Sequence, residues 1–190
     1  TKQFARRYPD AFRTIIHRLT DVLIAYLEDQ IKAGATVLQV FDSWASLIPF
    51  SLRQMCLIDP HRRLADHFKT HHKDVPVIFF PRGIGAMDLA SYGDAVRPQA
   101  ISIDESVDPV WVARTLPQEI VIQGGLCPHS LVVGGDALDT EAALYLDAFK
   151  HRRYILNLGH GIVPETPIDH VARLVDFVRT YGRDQVGARV

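Results

Sequence analysis

Five short apolar runs, each separated from the next by residues of different character, constrain this chain more than any other feature. Thr36–Phe41 (TVLQVF), Val75–Phe80 (VPVIFF), Ala100–Asp104 (AISID), Glu119–Gln123 (EIVIQ) and Arg153–Leu158 (RYILNL) are rich in β-branched and aromatic residues. Runs of this length and composition are expected as strands buried on both faces of a parallel sheet. The segments around them follow a helical period. In residues 9–33 the apolar positions Phe12, Ile15, Ile16, Leu19, Leu23, Ile24 and Leu27 fall on one face, and Gly34 follows as a C-cap. Helices are also expected over residues 51–72, Ala86–Tyr92, Thr140–Lys150 and Pro167–Tyr181, the last with Val171, Leu174, Val175 and Val178 on one face. Strands alternating with helices imply a parallel sheet with crossover connections. A doubly wound sheet and a (β/α)8 barrel both fit. A complete barrel needs about 250 residues, and this chain has 190.

Composition narrows the class. Hydrophobic residues make up 47% and charged residues 23%, as in ordinary globular domains, so disorder and coiled coil are excluded. Twenty-one Lys+Arg against 22 Asp+Glu leave a formal charge of -1, so no global basic field exists to hold nucleic acid or an anionic membrane. No apolar run reaches the ~18 residues that cross a bilayer. Two cysteines, Cys56 and Cys127, cannot build a disulfide framework and fit a reducing compartment. Thr1–Asp10 is polar and does not read as a signal peptide, and the first residue is Thr, so the natural start is expected upstream.

In parallel α/β folds chemistry gathers where strands end. Here those positions are polar: Asp42-Ser43-Trp44, Pro81-Arg82-Gly83, Asp104-Glu105, Gln123-Gly124-Gly125 and Asn157-Leu158-Gly159-His160-Gly161. His160 lies between two glycines just past a strand, where packing gives no reason for an imidazole, so a functional role is expected. Asp42 reads equally well as a turn cap, Ser43 as an N-cap and Arg82 as a surface ion pair. Asp104 and Gln123 are expected to hold neighbouring loops. Cys56 is expected to pack on a helix, and the remaining histidines to lie at the surface. His71-His72 offers only adventitious metal binding. No phosphate-binding G-x-x-x-x-G-K-[ST] loop and no G-x-S-x-G elbow occurs.

Longer stretches carry a resemblance. IKAGATVLQVFDSWASLIP (Ile31–Pro49), VPVIFFPRG (Val75–Gly83), VIQGGLCPHSL (Val121–Leu131) and ILNLGHGIVPETPIDHVARLVDFV (Ile155–Val178) resemble the uroporphyrinogen decarboxylase family. The resemblance runs in order from about Phe4 to Arg179. It implies a (β/α)8 TIM barrel of which residues 1–190 supply the C-terminal part, about the last five strand-helix units of a single domain. It also implies a cytoplasmic enzyme, a homodimer when full length, without metal or organic cofactor. That enzyme removes CO₂ from the four acetate side chains of uroporphyrinogen to give coproporphyrinogen in haem biosynthesis.

Two family positions carry over directly. Ser43, in F-D-S-W, matches the hydroxyl that hydrogen-bonds substrate carboxylate side chains. His160, in N-L-G-H-G, matches the imidazole that contacts a substrate carboxylate, a role suited to a group that can become cationic. Arg82 stands where the family often has a basic residue and is a further candidate for a carboxylate. The family's aspartate facing the pyrrole nitrogens, its N-terminal arginines and a cleft tyrosine have no counterpart in these residues, so no catalytic residue is assigned within them. Two departures stand out: Q-G-G-L-C-P where the family commonly has Q-G-N-L-D-P, and Glu105-Ser106 where many relatives carry an apolar aromatic. They leave open a non-catalytic barrel remnant that binds a porphyrinogen or a partner. A related corrinoid- or methionine-type methyltransferase is disfavoured, because neither Cys56 nor Cys127 has His two residues before it. Five strands cannot close an eight-stranded barrel, so the segment alone is expected to be inactive and to aggregate or require the missing units.

Overall fold

A computed structural model describes residues 1–181. These residues divide into two compact units. The first holds Thr1–Ile101 and Leu116–Ile120, the second Ser102–Thr115 and the chain from Val121 onward.

In the first unit, α1 (Lys2–Arg7) and α2 (Pro9–Lys32) lead into β1 (Leu38–Asp42). Then come α3 (Phe50–Arg53), a π-turn over Gln54–Ile58, α4 (Asp59–His71), β2 (Val77–Pro81), α5 (Ala86–Val96) and β3 (Ala100–Ile103), whose first half belongs here. β1 pairs in parallel with β2 over five residues, Leu38 with Val77 through Asp42 with Pro81, and β2 pairs in parallel with β3. Every residue of β2 is buried, as its unbroken apolar run requires of a strand covered on both sides. Phe79, Tyr92, Phe68, Leu57 and Leu64 form the heart of this core.

The helix expected over residues 51–72 is interrupted. Pro60 has no N–H to return to the preceding turn, and the backbone loosens into the π-turn just before it. Cys56 sits on this turn, half-buried beside the Ala5, Leu52 and Met55 cluster, in the packing role expected of it. The apolar surface of α2 is wider than one buried stripe. Thr20 and Leu27 are buried, whereas Ile15, Leu19, Val22 and Tyr26 stand exposed.

The second unit takes the end of β3, then α6 (Pro109–Thr115), β4 (Val121–Gly124), α7 (Pro128–Val133), α8 (Gly135–Ala148), β5 (Tyr154–Ile155) and α9 (Ile168–Thr180). β4 and β5 pair in parallel. β5 is far shorter than the six-residue run expected. Past Ile155 only Leu158 keeps a bridge, to Leu126, and Gly159 N–H donates to the Leu126 carbonyl at 2.7 Å. The helix α6 is too short to show a period. It is started by Asp108, whose Oδ1 accepts the N–H groups of Val110 (2.7 Å) and Trp111 (3.2 Å). Ile122, Leu126, Leu138, Ala142 and Phe149 are among the buried core residues of this second unit.

Candidate active site

The first unit brings two of the three sequence-derived candidates together. In-register pairing of Asp42 with Pro81 sets the F-D-S-W and P-R-G turns side by side. The Arg82 N–H donates to the Asp42 carbonyl (3.1 Å), and the Ser46 N–H donates to the Arg82 carbonyl (3.2 Å). Gly83 completes the lock. Its φ is +73°, and a Cβ there would lie 2.8 Å from Ser46 Cβ, so only glycine allows the two turns to approach this closely. Ser43 and Arg82 are both half-buried on this ledge, and Trp44 and Phe41 beside Ser43 are exposed. The ion-pair reading of Arg82 is not met among the described residues of this unit.

Beneath the ledge lies an array that sequence reading missed. The Asp42 carboxylate accepts the Trp44 N–H, the turn-capping role expected of it, and burial raises its pKa against that bond. Its Oδ2 stands 3.8 Å from Nε2 of His61, and His61 Nδ1 is 2.8 Å from the Tyr92 hydroxyl. His61 is buried, not at the surface as expected, and burial pushes its imidazole down to about 4. A neutral ring with its proton on Nε2, facing Asp42, leaves Nδ1 to accept the Tyr92 proton. Burial holds the Tyr92 phenol well above its usual range and, with Asp42 as a lesser cause, raises the Cys56 thiol. The signal was present: Leu57, His61, Leu64, Ala65 and Phe68 share one helical face, which places His61 among core residues.

The second unit carries the third candidate. Gly159, bonded to Leu126, holds the N-L-G-H-G turn, and His160 is exposed immediately after it. Asp104 is buried and caps the following turn, accepting the Ser106 N–H at 2.9 Å. Gln123 donates to Ser102 Oγ at 3.3 Å. Asp104 holds its turn, as expected, whereas Gln123 on β4 bonds Ser102 on β3 and so ties strand to strand rather than holding a loop. The Gly125 departure has a steric basis. At φ +104° an added Cβ would lie 2.2 Å from Cε1 of Tyr145, so the Tyr145 ring fills the space a side chain would take. Cys127 is tied by its N–H to Glu141 (3.2 Å), and Ser130 donates to the other oxygen of the same carboxylate.

The locked F-D-S-W and P-R-G turns and the N-L-G-H-G turn are accompanied by similarity along the described chain. Residues 1–181 match the family described as Uroporphyrinogen decarboxylase (URO-D). The chain belongs to that family. It is 40% identical over 183 residues to a uroporphyrinogen decarboxylase of Novosphingobium aromaticivorans, covering 96% of this chain and 53% of the relative. It is 42% identical over 181 residues to that of Granulibacter bethesdensis, covering 95% and 52%. With that of Sphingopyxis alaskensis it shares 44% over 172 residues, covering 90% and 50%. The chain therefore spans about half the length of the curated relatives it matches. Membership decides what the strand pattern left open, because the family is built on a (β/α) barrel. The parallel pairs of both units, each reached through helices, agree with part of one.

Proposed function

We propose that these residues are the C-terminal part of a uroporphyrinogen decarboxylase, a cofactor-free carboxy-lyase. It converts uroporphyrinogen to coproporphyrinogen in haem biosynthesis by removing CO₂ from four acetate side chains. In this reading the full chain acts as a cytoplasmic homodimer, and the groups that protonate the pyrrole lie upstream of Thr1. The observation that carries the reading is the pair of locked strand-end turns. They hold Ser43 and Arg82 on one ledge, in a chain matched to the family from end to end of its described residues. Among those residues no helix is long and apolar enough to cross a membrane.

The reaction explains what such side chains are for. Loss of CO₂ from a pyrrole acetate leaves an electron pair beside the ring, and prior protonation of the ring accepts that pair. The protein must then hold carboxylates and leave the ring free to take up a proton. The Ser43 hydroxyl donates to one carboxylate, the Arg82 guanidinium pairs with a carboxylate, and the His160 imidazole contacts another. They fix where the acetates lie, so their loss acts on substrate binding more than on the chemical step.

The test is anaerobic decarboxylation of uroporphyrinogen by the full-length protein, with products resolved by their carboxyl number. Ser43→Ala is expected to lower kcat/KM by about tenfold or more, the worth of a hydrogen bond to a charged group. His160→Asn is expected to do the same. Tight uroporphyrinogen binding by the full-length wild type with no CO₂ release would instead establish the non-catalytic remnant.

A further inference from the structure

We propose that Glu28, His67 and His72 form a binding site for a divalent transition-metal ion, with zinc the best fit. Glu28 lies in the last turns of α2, His67 lies on α4, and His72 is the residue that ends α4. His67 Nε2 stands 2.9 Å from Glu28 Oε1, and His72 Nε2 stands 3.5 Å from the same oxygen. The three donor atoms all lie within 4.8 Å of one another. Tetrahedral zinc, with bonds of roughly 2.0–2.1 Å, separates its ligand atoms by about 3.4 Å. The two measured edges bracket that separation. Two imidazoles and one carboxylate are also a donor set that zinc takes with its fourth position open to water.

The backbone builds this convergence. On a continuous helix, residues five apart point about 140° away from each other. His72 escapes that rule because the helix stops there: its non-helical backbone (φ -137°, ψ 58°) turns the chain and returns its ring to the His67 side, with centroids 6.3 Å apart. Phe68, buried between the two histidines in sequence, packs against both rings at 5.1 and 5.6 Å. The rings are therefore seated. All three side chains are half-buried, at 23%, 30% and 27% exposure for His67, Glu28 and His72. The nearby Lys32 ammonium is engaged by Asp29 at 2.9 Å and leaves the Glu28 carboxylate to the imidazoles.

The His71-His72 pair that the sequence offers is not the site. His71 stands four residues after His67, a natural chelating interval, and its ring is 4.5 Å from that of His67, yet it is exposed and outside the triad. A bound ion would clip the end of α4 to α2, independently of any decarboxylase activity.

The experiment is a zinc titration of the metal-free, full-length protein against a chromophoric chelator, with X-ray absorption at the zinc edge on the loaded wild type. One zinc per chain is expected, with nitrogen and oxygen ligands including two imidazoles. Glu28→Gln, His67→Asn and His72→Asn are each expected to weaken binding by more than about tenfold, since even outer-shell losses cost about 10–100-fold. His71→Asn is expected to leave it unchanged. No stoichiometric zinc, a sulfur ligand in the absorption spectrum, or binding that survives Glu28→Gln and fails with His71→Asn would overturn the proposal. His71 is exposed, so the His71→Asn variant keeps the test decisive even if a substitution in the triad prevents folding: unchanged binding with two imidazole ligands supports the triad, and lost binding overturns it.

Discussion

Lowering the pH should weaken this fold through His61, and by an amount that can be worked out. The imidazole is 6% exposed and burial depresses its pKa from 6.5 to about 4. A histidine with a depressed folded pKa binds fewer protons folded than unfolded, so stability falls as pH falls. Its contribution is whole above the unfolded value of 6.5, shrinks between 6.5 and about 4, and is constant below that. Linkage over those two values gives a loss of about 2 kcal/mol between pH 7 and pH 5, approaching about 3 kcal/mol below pH 4. Asp42 works in the opposite sense, because burial raises its folded pKa and acid relieves that penalty. The clean observable is therefore the difference between wild type and His61→Gln, which keeps a polar, non-titrating group at the site. Urea unfolding of both full-length proteins, followed by circular dichroism at pH 7, 6 and 5, measures it. The wild type should lose about 2 kcal/mol more than the variant across that range. Parallel pH dependences, or a His61 ring signal titrating near 6.5, would refute the argument that burial keeps this ring neutral.

Three further outcomes follow from the same geometry. Tyr92→Phe removes the hydroxyl bonded to His61 Nδ1 and should cost about 1–3 kcal/mol in urea unfolding. Adding His61→Leu should recover part of the loss, since removing both partners leaves nothing unsatisfied. Gly83→Ala forces a Cβ against Ser46 at positive φ; a loss of about 1–3 kcal/mol is expected, with a raised KM for uroporphyrinogen as the Ser43 and Arg82 turns part. Gly125→Asn, restoring the family's residue, should lower Tm by several degrees because the Tyr145 ring occupies the space. Combined with Tyr145→Leu it should be tolerated better, since asparagine accepts positive φ.

How far the site was legible depended on whether its signal was local. Ser43, Arg82 and His160 were visible because each sits at the end of an apolar run, and strand ends in parallel folds are where polar side chains have no packing reason to be. The long α2 and α9 were legible from their period, whereas α6 and α7, at seven and six residues, are too short to display one. His61 was misread because its neighbours in sequence are charged, Asp59, Arg62 and Arg63, and hide the apolar face it shares. Glu28 was not considered with His67 and His72 because nothing in a sequence says that the end of one helix lies beside the end of another 39 residues away.

The sequence by itself determined the alternation of strands and helices, the family, and the polar residues at the strand ends. These follow from hydrophobic period and from motifs that are contiguous in the chain. Tertiary structure alone decided the rest: the interlock of the Ser43 and Arg82 turns, the neutral His61 between Asp42 and Tyr92, the Tyr145 ring that excludes a side chain at Gly125, and the convergence of Glu28 with two histidines. Each of these depends on burial or on distances between residues remote in sequence. Desolvation and close contact exist only once the chain has been packed.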